Sequence, residues 1–222
     1  MVRGSQVLAG RHSVIYILVA LRSEARPLVK RFSLETVPGG LAGRPAFAGS
    51  DLRLIVTGIG RSRSALAVEG LSGLQEARSK VAWLNVGIAG HRDLQIGEAI
   101  LADEVVDAAT GQIWRLHPIP GAPCRIGPLC TVETVEEMYP TPAAYEMEAA
   151  SLCHRVPDAR EAGLLQIVKV VSDNRQIGTQ QISAEFVEEL IARQLQLVEW
   201  LVSELLARIG AETSTQDTLE TR

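Results

Sequence analysis

The chain is poor in the residues that mark several large functional classes. Only three of its 222 residues are cysteine, at 124, 130 and 153. None stands in a C-x-x-C or His/Cys spacing, so neither a disulfide framework nor a zinc site is indicated, and reduced thiols in a cytoplasmic protein are expected. His91 and His117 lack metal-ligand spacing as well, and no cofactor fingerprint appears. Basic residues are not in excess: 22 Lys and Arg face 26 Asp and Glu, for a net charge of −4. With no basic stripe, a nucleic-acid backbone is not an expected partner. No run approaches the roughly 18 apolar residues of a membrane span. The longest early run, "VIYILVAL" at 14–21, is only strand-sized, and "MVRGSQVLAGRHS" before it lacks the small-residue cleavage site of a secretory signal.

What is present is a large apolar fraction, 46%, with 22% charged residues, enough for a substantial core. Continuous apolar runs at 14–21, 52–57, 80–86, 99–106 and 164–171 read as strands buried on both faces. Helical patterns lie between and after them. Residues 62–78 carry Leu66, Gly70, Leu71 and Leu74 on one face, and 183–210 opens on a Ser cap and ends at Gly210. This alternation predicts an α/β fold with a mainly parallel sheet covered by helices. One domain is expected over 13–210, with 1–12 and the polar 211–222 as flexible termini.

In such folds, ligands lie beyond the carboxyl ends of the strands. Glu24 follows the first strand, and Gly58 and Gly60 follow the second in "TGIG". "NVGIAG" closes the third, and Asp173 tips the last in "VKVVSDN". Each has a plainer reading: a first-turn carboxylate, ordinary turn glycines, a helix cap. "AAYEMEAASL" at 143–152 is harder to dismiss. It sets Glu146 and Glu148 among small apolar residues, and ionised carboxylates are almost never fully buried without partners.

Taken together and in order, "VALRSEA", "TGIG", "NVGIAG", "YEMEAASL" and "VKVVSDN" resemble the nucleoside phosphorylase/nucleosidase superfamily, above all its methylthioadenosine/S-adenosylhomocysteine nucleosidases. The resemblance covers about residues 13–209. It implies a three-layer α/β/α sandwich with a twisted, mostly parallel mixed sheet that is partly barrel-like. It also implies a homodimer, a small nucleoside as the partner molecule, and no cofactor or metal. Matched residue by residue, Asp173 would be the general acid that protonates the leaving purine, and Glu24 the base that activates water. Glu148 would accept the ribose hydroxyls, Met147 would lie along the sugar, and Glu146 would support the site. Ile88, Ala89, Gly90 and Ser172 would line it, with Gly58 and Gly60 on the nucleophile side.

Two alternatives stand beside this reading. A phosphate-dependent phosphorylase needs an Arg and a Ser in the segment matching "NVGIAG", where this chain has Asn85 and Ile88; Arg61 or Arg22 would have to substitute. A non-catalytic nucleoside-binding protein would have no use for an acid and a base on opposite sides of the sugar. The segment before "YEME" is also shorter than in the family, and Pro140 and Pro142 exclude a helix there. No Phe occurs between Phe47 and Phe186; Trp114 or Tyr139 could offer a face for stacking on a base, although core or rim packing is the plainer role for both.

Overall fold

In the computed structural model the described residues run over 13–73 and 81–220, with side chains described to 210. Segment 1–12 and positions 74–80, including the far end of the expected helix at 62–78, lie outside them. The buried runs do form strands. β1 (Val14–Val19) pairs in parallel with β4 (Leu52–Val56) on one side and β5 (Val81–His91) on the other, and β5 pairs in parallel with β10 (Leu165–Asp173). Covered on both faces, these strands have no solvent side to alternate with, which is why they read as unbroken apolar runs.

The sheet then turns back on itself. β10 pairs antiparallel with β6 (Ala99–Asp107), β6 parallel with β8 (Arg125–Thr131), and β8 parallel with β9 (Ala144–Glu146). β9 returns antiparallel to Gly90 and His91 at the far end of β5, closing a ring through β5, β10, β6, β8 and β9. β5 serves both halves because it is 11 residues long: its start belongs to the open sheet and its end to the ring. Short strands β2 (Glu35–Thr36) and β3 (Ala46–Ala48) extend the open edge beyond β4, and β7 (Ile113–Arg115) folds back on β6. The longer ladders are parallel, so the sheet is mixed and mostly parallel.

Helices cover both faces. α1 (Arg22–Arg31), α5 (Ala184–Arg193) and α6 (Leu195–Glu220) bury Leu28, Val187, Leu190, Val198, Leu201 and Leu205 against Ile15, Ile17, Leu84 and Val86. On the other face α2 (Arg61–Ser72), α3 (Ala149–Arg155) and the short α4 (Pro157–Glu161) lie over Leu18, Trp83, Ile167 and Val171. The result is the three-layer α/β/α arrangement.

Two helix expectations need correction. The expected single helix at 183–210 is two, because the chain leaves helical geometry at Gln194, and the second continues past Gly210 to Glu220. On α2 the buried residues are Ser64, Ala67, Val68 and Leu71, whereas Leu66 is 60% exposed. The small residues let α2 sit close to α3, where the Ser64 and Ser151 hydroxyls hydrogen-bond to each other.

Candidate active site

At the carboxyl end of β1, Glu24 occupies the first turn of α1 but points inward, 2% exposed. Its Oε2 accepts the backbone N–H groups of Ala20 and Leu21, both at 2.8 Å, as the acidic half of a capping box would. Its Oε1 accepts the N–H of Ile88 from β5 at 3.1 Å. Burial raises its pKa to about 7, against the pull of Lys169 and the backbone donors and with help from Glu148. A carboxyl so placed exchanges its proton near neutrality.

The Glu146–Glu148 pair is buried because a lysine is buried with it. Lys169, in the middle of β10 and 1% exposed, puts its Nζ 3.0 Å from Glu146 Oε2 and 3.3 Å from Glu148 Oε2. Burial alone would push this ammonium down, but Glu146, Glu148 and Glu24 together hold it above the ordinary lysine value. Both oxygens of Glu146 also accept from the chain: the Thr131 hydroxyl at 2.5 Å, and the N–H groups of Glu148 and Ala149 at 2.9 Å each. Glu146 therefore serves the scaffold, fixing the start of α3 and the lysine. Glu148 keeps more of its accepting capacity, since Gly60 N–H at 2.9 Å and Lys169 are its only protein donors among the described residues. Gly60 presents that N–H from a backbone with φ +97, a conformation side chains disfavour.

Asp173 ends β10, 4% exposed. The ladder between β10 and β5 shifts register between Val171 and Asp173, so that Asp173 pairs with Gly90. Such an irregularity re-aims a side chain. Its Oδ1 accepts the Ser172 hydroxyl and its Oδ2 the Tyr139 hydroxyl, both at 2.5 Å. A Cβ at Gly90 would stand 2.5 Å from Asp173 Oδ2 and 2.6 Å from the Tyr139 ring, and one at Gly87 would stand 2.9 Å from Glu24 Oε1 and 3.3 Å from Lys169 Nζ. The glycines of "NVGIAG" thus make room for the charged groups themselves. Ile88 donates its backbone N–H to Glu24, Ala89 is buried, and Met147 lies half-buried between the two glutamates.

The residues named from sequence therefore converge on the end of β5. Others do not. Arg61 forms a bidentate pair with Asp107, at 2.7 and 2.6 Å, and Asn85 donates to the Leu18 carbonyl at 3.0 Å. Trp114 lines a separate cavity with Arg61, Asp107 and His154. His91 Nδ1 accepts the N–H groups of Asp93 and Leu94, which makes it a turn residue. Sequence reasoning missed Lys169 and Thr131. A lysine inside the apolar run "LLQIVKVV" was the available signal, because a cation at such a position requires buried carboxylates.

Beside Glu24 an open cleft of about 410 Å³ is lined by Ala20, Leu21, Gly58, Ile59 and Ala184, with Arg22, Arg26 and Arg63 among its walls. Ala20 and Leu21, whose N–H groups donate to Glu24, are among its walls. The group as a whole offers a near-neutral carboxyl bonded to Ile88, a carboxylate bonded to an ammonium, and a further buried carboxyl group on the strand position paired with Gly90. Groups of this kind can accept, hold and donate protons around a small, hydroxyl-bearing molecule.

No protein-family model matches the chain, and no curated protein matches it in sequence. Solved structures do match. The 5′-methylthioadenosine nucleosidase of Arabidopsis thaliana superposes with a TM-score of 0.72 at 16% identity, over 88% of this chain and 97% of that one. The 5′-methylthioadenosine/S-adenosylhomocysteine nucleosidase of Helicobacter pylori, solved with butyl-thio-DADMe-Immucillin-A, gives 0.68 at 17% identity, over 87% and 99%. The futalosine hydrolase of the same organism gives 0.66 at 16%, over 86% and 98%. The chain shares the fold of these proteins over nearly their whole length.

Proposed function

We propose that the protein is a member of the nucleoside phosphorylase/nucleosidase superfamily and hydrolyses the N-ribosidic bond of a purine-type nucleoside, releasing the free base. The observation that carries this reading is that Glu24, near neutrality, is bonded to Ile88 of β5 while Asp173 pairs with Gly90 two residues further along, with Lys169 linking Glu148 to the group. Glu24 accepts a proton from the water that attacks the anomeric carbon. The C–N bond breaks toward the base, and Asp173 delivers a proton to the purine so that it leaves neutral. Each positioned proton transfer is worth about 10²–10⁴-fold in rate. Glu148 accepts the sugar hydroxyls, held in place by Lys169 and the Gly60 N–H. Met147 provides an apolar surface for the sugar, and Ser172 orients Asp173.

Water is favoured over phosphate because Arg61 is held by Asp107 and Ile88 carries no polar side chain. A second reading, phosphate-dependent cleavage, is supported by Arg22, Arg26 and Arg63 around the cleft next to Glu24. Arg26 is already paired with Glu188. The test is a panel of methylthioadenosine, adenosylhomocysteine, adenosine, inosine and futalosine, with and without phosphate. Free base and free sugar in both buffers are expected. A sugar 1-phosphate formed only with phosphate would make the protein a phosphorylase, and binding without turnover would make it a nucleoside-binding protein.

A further inference from the structure

We propose that Tyr139 is a positioning residue that latches the base end of the site: its phenol occupies the face of Asp173 that a nucleobase must reach, and base binding displaces it. The inference rests on the reading of Asp173 as the residue that meets the base. The Tyr139 hydroxyl donates to Asp173 Oδ2, and its ring stands against Gly90, at the strand end where a base would have to approach the carboxylate. Burial, and then the bond to Asp173, hold the phenol's pKa above its ordinary value, so it remains a donor. Base and phenol cannot both occupy that position.

Three further features suit Tyr139 to leave. Its backbone sits at φ +45, unfavourable for a bulky side chain, and Pro140 follows it. Although it is the largest fully buried side chain, it belongs to neither main core. It packs in a small satellite cluster with Ala143 and Tyr145, so withdrawing it leaves the sandwich intact. The segment carrying it is held by polar contacts near the surface. Glu137 accepts from Thr179, the Met138 carbonyl accepts from Arg175 at 3.4 Å, and Thr141 bonds to the Tyr145 hydroxyl. Val135 and Met138, its apolar residues nearest the tip, are 63% and 75% exposed, so moving them exposes little new apolar surface. Besides the burial of its ring, the restraint on Tyr139 is its bond to Asp173. Hydrogen bonds to charged groups are worth about 1.5–3 kcal/mol net, which corresponds to roughly 10-fold to 100-fold in an opening equilibrium.

Tyr139→Phe removes the bond and keeps the ring. Amide hydrogen exchange of residues 133–141 in the free protein should rise by about tenfold or more, with β5 and β10 unchanged. Affinity for adenine, measured by calorimetry, should rise by a similar factor, and KM for a turned-over nucleoside should fall while kcat stays within about twofold. A purely structural tyrosine would instead lose stability and leave KM alone. Unchanged exchange in 133–141, or adenine binding no tighter than in the wild type, overturns the latch. Nucleoside cleavage by the wild type without those effects leaves the nucleosidase reading standing and removes the latch. The two effects without cleavage of any nucleoside would keep the latch and remove the nucleosidase reading.

Discussion

At the scale of single residues the site is a charge problem with one cation at its centre. Glu24, Glu146 and Glu148 surround Lys169, and all four are buried together. Lys169→Met should cost about 3–5 kcal/mol of stability, read by urea denaturation, because it leaves buried carboxylates uncompensated. It should also move the acid limb of kcat/KM to higher pH, since Lys169 is the largest influence lowering Glu24. In the wild type that limb should rise through about pH 7, as Glu24 loses its proton and becomes competent to accept one from water. Stability should run the other way. A carboxyl raised from 4.5 to about 7 on folding contributes fully below pH 4.5, and its contribution is lost as pH rises through 7. Relative to Glu24→Gln, the wild type should lose up to about 3 kcal/mol between pH 4 and 8. An unchanged difference across that window would mean that Glu24 is not a buried, near-neutral carboxyl.

At the scale of elements, the end of β5 is where the ring closes and where the chemistry gathers. Gly90→Ala places a methyl against Asp173 Oδ2 and the Tyr139 ring. Tyr139 can yield, but Asp173 is fixed by the β10 irregularity and by Ser172. The variant should fold with a loss of about 1–3 kcal/mol, yet fall by about tenfold or more in kcat/KM by loss of alignment. Full activity would show that Asp173 is not held where the reaction needs it. The strands were legible in sequence because doubly covered strands must be apolar throughout, and their tips pointed to Glu24, Asp173 and the glycines. The pairing of β9 with the far end of β5 was not legible, since a three-residue strand carries too little pattern to choose a neighbour. Nor was the break at Gln194: apolar spacing runs through 183–210, and a turn that keeps both helices on the same face leaves no mark on that periodicity. Tyr139 could be named only as a possible stacking face, with rim packing the plainer role, because its position depends on a loop, between Thr131 and Ala144, with no regular pattern.

At the scale of the whole molecule, Ile59 and Leu66 are large apolar side chains left 48% and 60% exposed. A homodimer covering them is expected, and light scattering at micromolar concentration should report twice the chain mass; a monomer would remove that expectation. The described helices include none long and apolar enough to cross a membrane. If acid and base act from opposite sides of one sugar, a crossed comparison of two variants on two substrates separates them. One substrate is a purine nucleoside whose base needs a proton to leave, and the other an analogue whose base departs readily as an anion. Asp173→Asn should cost about 10²-fold or more on the first and little on the second, whereas Glu24→Gln should slow both, because water attack is common to them. Equal losses on the two substrates for Asp173→Asn, or an undiminished rate on the purine nucleoside, would contradict the account.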